Sequence, residues 1–134
     1  MADGKEHKYR MVFGWEDDNG IGEMLIQQII NGEKTATCAP KEEYSEQELQ
    51  ETYEPVGENV TVFDKNGNAR CTVRLLEVFE TTFGNPDLRL VRGEGNGDNV
   101  SKFQEDHRIA WKDIGVDLRD DTVLIVELFE LVDG

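Results

Sequence analysis

The stretch ENVTVFDKNGNARCTVRLLEVFETTF, residues 58–83, restricts the possible folds more than any other part of the chain. Val60 and Val62 alternate with polar neighbours ahead of Asn66-Gly67, and Cys71, Val73 and Leu75 share one face after it. Alternation with a period of two marks half-buried strands. Asn-Gly between two such runs signals a two-residue hairpin turn, because both residues tolerate positive φ. An antiparallel sheet is therefore the frame on which the other segments must pack. The terminal TVLIVELFELV, with β-branched residues and few polar interruptions, reads as a buried strand of that sheet.

Helical spacing appears on either side of the hairpin. Ile21, Leu25 and Ile29 recur on one face, widened by Met24, Ile26 and Ile30; Asp18 and Asn19 are capping candidates, and Gly32 after Asn31 is a stop. GEKTATCAP follows as a strand or a tight loop-to-strand transition. Ser45 and Glu48 form a capping-box pattern at the head of an acidic helix that Pro55 ends. GNPDLRLVRGEGNGD reads as a short helical turn and a loop. A helix is predicted over 101–115, with Phe103, His107, Ala110, Trp111 and Ile114 at helical spacing and Asp98 or Asn99 as its cap. The order helix, strand, helix, hairpin, helix, strand predicts one α+β domain over residues 1–134, built on a small barrel-like sheet, with polar residues 1–10 loosely held.

Composition removes several classes. No run approaches the ~18 apolar residues of a membrane span, and MADGKEHKYR lacks the apolar stretch of a secretory signal. Cys38 and Cys71 stand apart with no CxxC pattern, which predicts reduced thiols in a cytoplasmic protein rather than a disulfide scaffold or zinc ribbon. The 29 acidic against 14 basic residues give a formal charge of −15, which repels nucleic acid on average.

Two segments concentrate chemistry. In GEKTAT, Lys34 follows a sharp turn and precedes Thr35 and Thr37 on one strand face. Such a Lys holds a phosphate as a point charge or, desolvated, activates the Thr as a nucleophile; the plainer reading is a surface Lys beside two β-formers. GEGNGD invites an anion nest of backbone amides but lacks the Lys-Ser/Thr of a P-loop; a flexible connection ahead of a capped helix explains it as well. Glu94 and Asp98 there are possible acid–base groups, although such pairs arise by chance in so acidic a chain. His107 shares a face with Phe103 and Trp111, where a hydrogen-bonded cleft residue is the commoner role. With His7 in the terminus, no second imidazole is placed for a metal site, so none is predicted. A Cys38–His107 nucleophile pair is formally possible, without support from spacing. Residues 42–54 read as a solvated acidic helix face.

Gly32-Glu33-Lys34-Thr35-Ala36-Thr37 after an apolar helix is similar to the GxKxxT/S signature of ASCH domains. The Val56-Gly57 start of the hairpin, the GEGNGD loop, the Ser101–Trp111 helix and the apolar last strand extend the likeness, in order, from about Phe13 to Val132. The whole resembles the longer bacterial ASCH proteins, whose loop reads roughly EGEGD. The resemblance implies a PUA-like fold, a small, mostly antiparallel β-barrel flanked by helices, with a cleft over the GEKTAT loop. It implies RNA binding, and in some members catalysis: deacetylation of N4-acetylcytidine by a Lys, a Thr and a Glu, or metal-assisted RNA cleavage. Lys34 and Thr37 match the first two catalytic positions. The third falls on Asn96, leaving Glu94, two residues earlier, to replace the carboxylate.

Three functions follow as expectations. As a binding module, the chain holds short single-stranded RNA or a modified nucleoside through Thr35, Arg92, Asn96, Asp98, Ser101, His107 and Trp111, with stacking by Trp111 or Phe103. As an amidohydrolase, Lys34 activates Thr37 and Glu94 handles the leaving amine's proton, with loop amides stabilising the oxyanion. No cofactor is expected, a divalent metal entering only if the protein is a ribonuclease. The charge of −15 disfavours long RNA and favours a small ligand, with Lys34, Arg92, Lys102 and Arg108 concentrated near it.

Overall fold

The computed structural model describes residues 9–112 and 115–133. It is a mixed α+β fold. Strands β1 (Tyr9–Phe13), β2 (Ala36–Pro40), β3 (Asn59–Asp64), β4 (Ala69–Thr82) and β5 (Val123–Asp133) form one sheet in the order β1-β3-β4-β5-β2. Helices α1 (Ile21–Ile30), α2 (Glu46–Tyr53), α3 (Leu88–Gly93) and α4 (Val100–Ala110) flank it. Two pairings, β2 with β5 and β3 with β4, are antiparallel, as the patterning predicts; β1 runs parallel to β3. The chain packs as two compact units. One holds the chain up to Thr35, Pro55–Glu77 and the segment from Phe129 on; the other holds Ala36–Glu54 and Val78–Leu128.

In the first unit, α1 buries Ile26 and Ile29, and the hairpin buries Val60, Val62, Cys71, Val73 and Leu75. Burial pushes the Cys71 thiol up to about 11, so it is an inert core group. The expected two-residue turn is longer. Gly67 N–H donates to the Asp64 carbonyl (3.1 Å), Gly67 alone takes positive φ (83°) in this turn, and the register shifts between Val62 and Phe63. Asp64 causes this: its carboxylate accepts from the N–H groups of Asn66 and Asn68, which favours an Asx-type turn and a bulge over the tight Asn-Gly turn. The loose N-terminal stretch also needs correction, because Tyr9 and Arg10 already belong to β1, with the Arg10 guanidinium 4.2 Å from the Phe63 ring centroid. Residues 1–8, His7 among them, lie outside the described residues.

The start of α1 rests on Asp18 rather than Asn19. Asp18 is 2% exposed, and its carboxylate accepts from the N–H groups of Trp15, Gly20 and Gly22 and from Lys65 Nζ. Asn19 takes φ 54° and Gly20 is the N-cap, so the capping candidate beside Asp18 is only a turn residue. Gly32 ends the helix with φ 78°, as expected.

The second unit's core is Ala36, Phe83, Leu90, Val91, Phe103, Leu124 and Val126. Register pairs Ala36 with Leu128, Cys38 with Val126 and Pro40 with Leu124, so these alternate positions of β2 and β5 face that core. The predicted capping box is present in full: Ser45 Oγ accepts from Glu48 N–H and Glu48 Oε1 from Ser45 N–H. No residue of α2 is buried, in keeping with a solvated acidic face. Asn99 caps α4, and that helix ends at Ala110, earlier than the predicted 115; Ile114 lies outside the described residues.

Candidate functional site

Three elements of the second unit bring one side chain each to a common point. β2 supplies Cys38 from its core-facing side. The residue after α3 supplies Glu94, and α4 supplies His107. His107 Nε2 lies 2.9 Å from Glu94 Oε2, while Cys38 Sγ lies 3.3 Å from that oxygen and 3.8 Å from Nε2. The His107 and Glu94 side chains are 13% and 12% exposed, so the cluster sits at the edge of the core within reach of solvent.

The ring of His107 is fixed from both sides. Its centroid lies 4.2 Å from that of Phe103 and 4.7 Å from that of Trp111, as the shared helical face predicts. Nδ1 is 2.8 Å from the Phe103 carbonyl, which only accepts, so Nδ1 carries a proton and Nε2 faces Glu94. The 2.9 Å contact then contains one proton, held by Nε2 in an imidazolium–carboxylate pair or by Glu94 against a neutral ring. This is a preset proton-sharing pair beside a thiol.

The opposite side of β2 carries a second group. Thr37 alternates with Cys38 and so points away from that cluster, toward its cross-strand partner Glu127 on β5. Burial pushes the Glu127 carboxyl up to about 7. Tyr44 is raised by its own burial and by the negative charges of Glu127 and Cys38.

A family model described as the ASCH domain matches residues 10–133. The chain belongs to the ASCH domain family. A solved ASCH domain from Lactobacillus crispatus JV V101 is 23% identical, with a TM-score of 0.73 over 96% of this chain and 82% of that one. Protein EF3133 from Enterococcus faecalis V583 is 19% identical, with a TM-score of 0.71 over 93% of this chain and 76% of that one. At these identities the likeness is one of fold. No curated protein matches the chain.

Within this ASCH domain the expected site residues divide. Glu94 and His107 meet, with Trp111 against the ring. Arg92 and Asp98 form an ion pair with each other, and Lys102 binds Asp106 (2.8 Å) and Asn96 (3.3 Å). Ser101 and Thr35 are exposed. Lys34 is 2% exposed in the first unit, its Nζ 6.0 Å from the Phe13 ring centroid, so the reading of a surface lysine does not hold. In the glycine-rich loop the amides of Glu94, Gly95 and Asn96 donate to carbonyls of α3, and those of Asn99 and Val100 to the Asn96 and Asp98 carbonyls of the loop itself, so these five amides are committed within the chain. Sequence reasoning missed two groups. Cys38 stood beside His107 only as a formal possibility and was not linked to Glu94, because its distance in sequence from both hides the contact. Glu127 left a faint signal, the first carboxylate to interrupt the apolar run Val123–Val126.

Proposed function

We propose that this single ASCH domain recognises one base, presented by a short single-stranded RNA or as a modified nucleoside. The observation that carries the reading is the ordered Phe103–His107–Trp111 ring series with Glu94 locked to its middle member. A half-buried indole offers a stacking face, and a carboxylate–imidazole pair offers both an acceptor and a donor for a base edge. The ion pairs around Arg92 and Lys102 favour a small ligand, since these cations are already matched by Asp98 and Asp106. Fluorescence titration with ribonucleosides and with a short RNA tests the reading. Saturable quenching that Trp111→Ala abolishes is expected; no binding of either ligand class at low salt overturns it.

The amidohydrolase reading is supported in an altered form. Thr37 and Glu94 lie on opposite sides of β2, whereas Glu127, held near neutrality, is the cross-strand neighbour of Thr37. A general base of that strength suits removal of the Thr37 proton. Acetate release from N4-acetylcytidine is then expected to fall at least ~100-fold in Glu127→Gln. If Glu94→Gln alone abolishes turnover, the original assignment is the correct one.

A further inference from the structure

We propose that Cys38, Glu94 and His107 form a three-ligand site for a zinc-class divalent transition-metal ion, with one coordination position open. This rests on the donor set and does not depend on the nucleobase reading. Donors at zinc-ligand distances of about 2.0–2.3 Å and tetrahedral angles lie roughly 3.4–3.6 Å apart. Here they are 2.9, 3.3 and 3.8 Å apart. Opening the Glu94–His107 contact by about half an ångström, within the swing of a glutamate side chain, brings all three to a common centre.

The chemistry of the donors selects the ion. One thiolate, one imidazole and one carboxylate suit zinc and its neighbours, whereas magnesium and calcium require an all-oxygen shell. The ring is also oriented as a ligand's would be. Nδ1–H donates to the Phe103 carbonyl and thereby aims Nε2 at the cluster, the usual outer-shell device of metal-binding histidines. Two aromatic rings hold that orientation.

The same geometry argues against a Cys–His–acid relay. In a relay the carboxylate holds the nitrogen remote from the nucleophile. Here Glu94 and Cys38 both face Nε2, and a backbone carbonyl occupies Nδ1. Donors converging on one point describe coordination. Three protein ligands with partial solvent access leave the fourth position to water or an exogenous heteroatom.

The full chain, stripped with chelator and kept reduced, is titrated with Co²⁺ and then Zn²⁺, without RNA or nucleoside. One equivalent of cobalt is expected to give a thiolate-to-metal charge-transfer band that zinc displaces. Cys38→Ser, which retains Cys71, should lose the band. Glu94→Gln and His107→Ala should weaken zinc by more than the ~10–100-fold cost of losing an outer-shell partner. As a check free of mutation, zinc should protect Cys38 of the unaltered protein from alkylation, as read by mass spectrometry. Absence of the band, its survival in Cys38→Ser, or full alkylation of Cys38 under saturating zinc overturns the proposal.

Discussion

Asp18 and Glu127 are both carboxylates removed from water, yet their surroundings move them in opposite directions. Burial opposes ionisation of Asp18, but Lys65 and the N–H groups of Gly20, Gly22 and Trp15 outweigh it and hold the group at about 2, below its ordinary 3.8. A depressed value contributes stability that is complete above about 3.8 and is lost as pH falls through about 2. Asp18→Asn is therefore expected to lower the urea midpoint near neutrality, with the gap narrowing across that acid window. Among the described residues Glu127 has no such partner, and burial alone lifts it from 4.5 to about 7. Its contribution is complete below about 4.5 and is lost as pH rises through about 7. Glu127→Gln should accordingly match the unaltered protein at pH ~4 and exceed it at pH ~8 by up to about 3 kcal/mol in denaturant unfolding. Equal midpoints at both pH values would contradict the assignment.

Elements owe their positions to a few close approaches that their own propensities do not encode. Gly22 lies in α1, where alanine is intrinsically better by about 1 kcal/mol. A Cβ there would stand 2.4 Å from Gly14 Cα and 2.8 Å from Asp18 Oδ2. Overpacking against backbone costs typically 1–3 kcal/mol, so Gly22→Ala should destabilise the protein in thermal unfolding despite the better helix former. Helix α2 behaves oppositely, being exposed and governed by its own cap. Ser45→Ala should cost about 0.5–2 kcal/mol of local helix stability, measured as faster amide exchange in the first turn of α2. These contrasts explain what was readable. The Ser45 box, the Gly32 stop and the Asn99 cap are local patterns, and each formed as read. The Asn66-Gly67 turn failed as a tight turn because the adjacent Asp64 carboxylate captured two amides. Strand β1 was missed because YRMVF is five residues long and acquires its meaning only from parallel pairing with β3.

Across the whole molecule the charge of −15 bears on ligand size. A protein neutralising several phosphates loses orders of magnitude in affinity as salt rises, whereas one engaged phosphate on a single strand gives a log–log slope of only about −0.7. Affinity for a short RNA should therefore fall by no more than about threefold between 50 and 200 mM salt. A drop of a hundredfold or more would indicate an extended RNA footprint. Among the described residues no helix is long and apolar enough to cross a membrane.

The sequence alone determined the four helices, the pairing of β3 with β4, the Ser45 and Asn99 caps and the ASCH family, because each is written in local spacing or in an ordered set of motifs. It also identified His107 and its ring neighbours, which share one helical face through the 3.6-residue repeat. Only the tertiary structure decided that Cys38 and Glu94 join His107, that Thr37 faces Glu127, that Lys34 is buried and that the glycine-rich loop binds its own carbonyls. Those outcomes depend on strand register and on which face each element presents. A one-residue change in strand phase exchanges Thr37 for Cys38 in front of Glu94, and no pattern within GEKTATC specifies that choice.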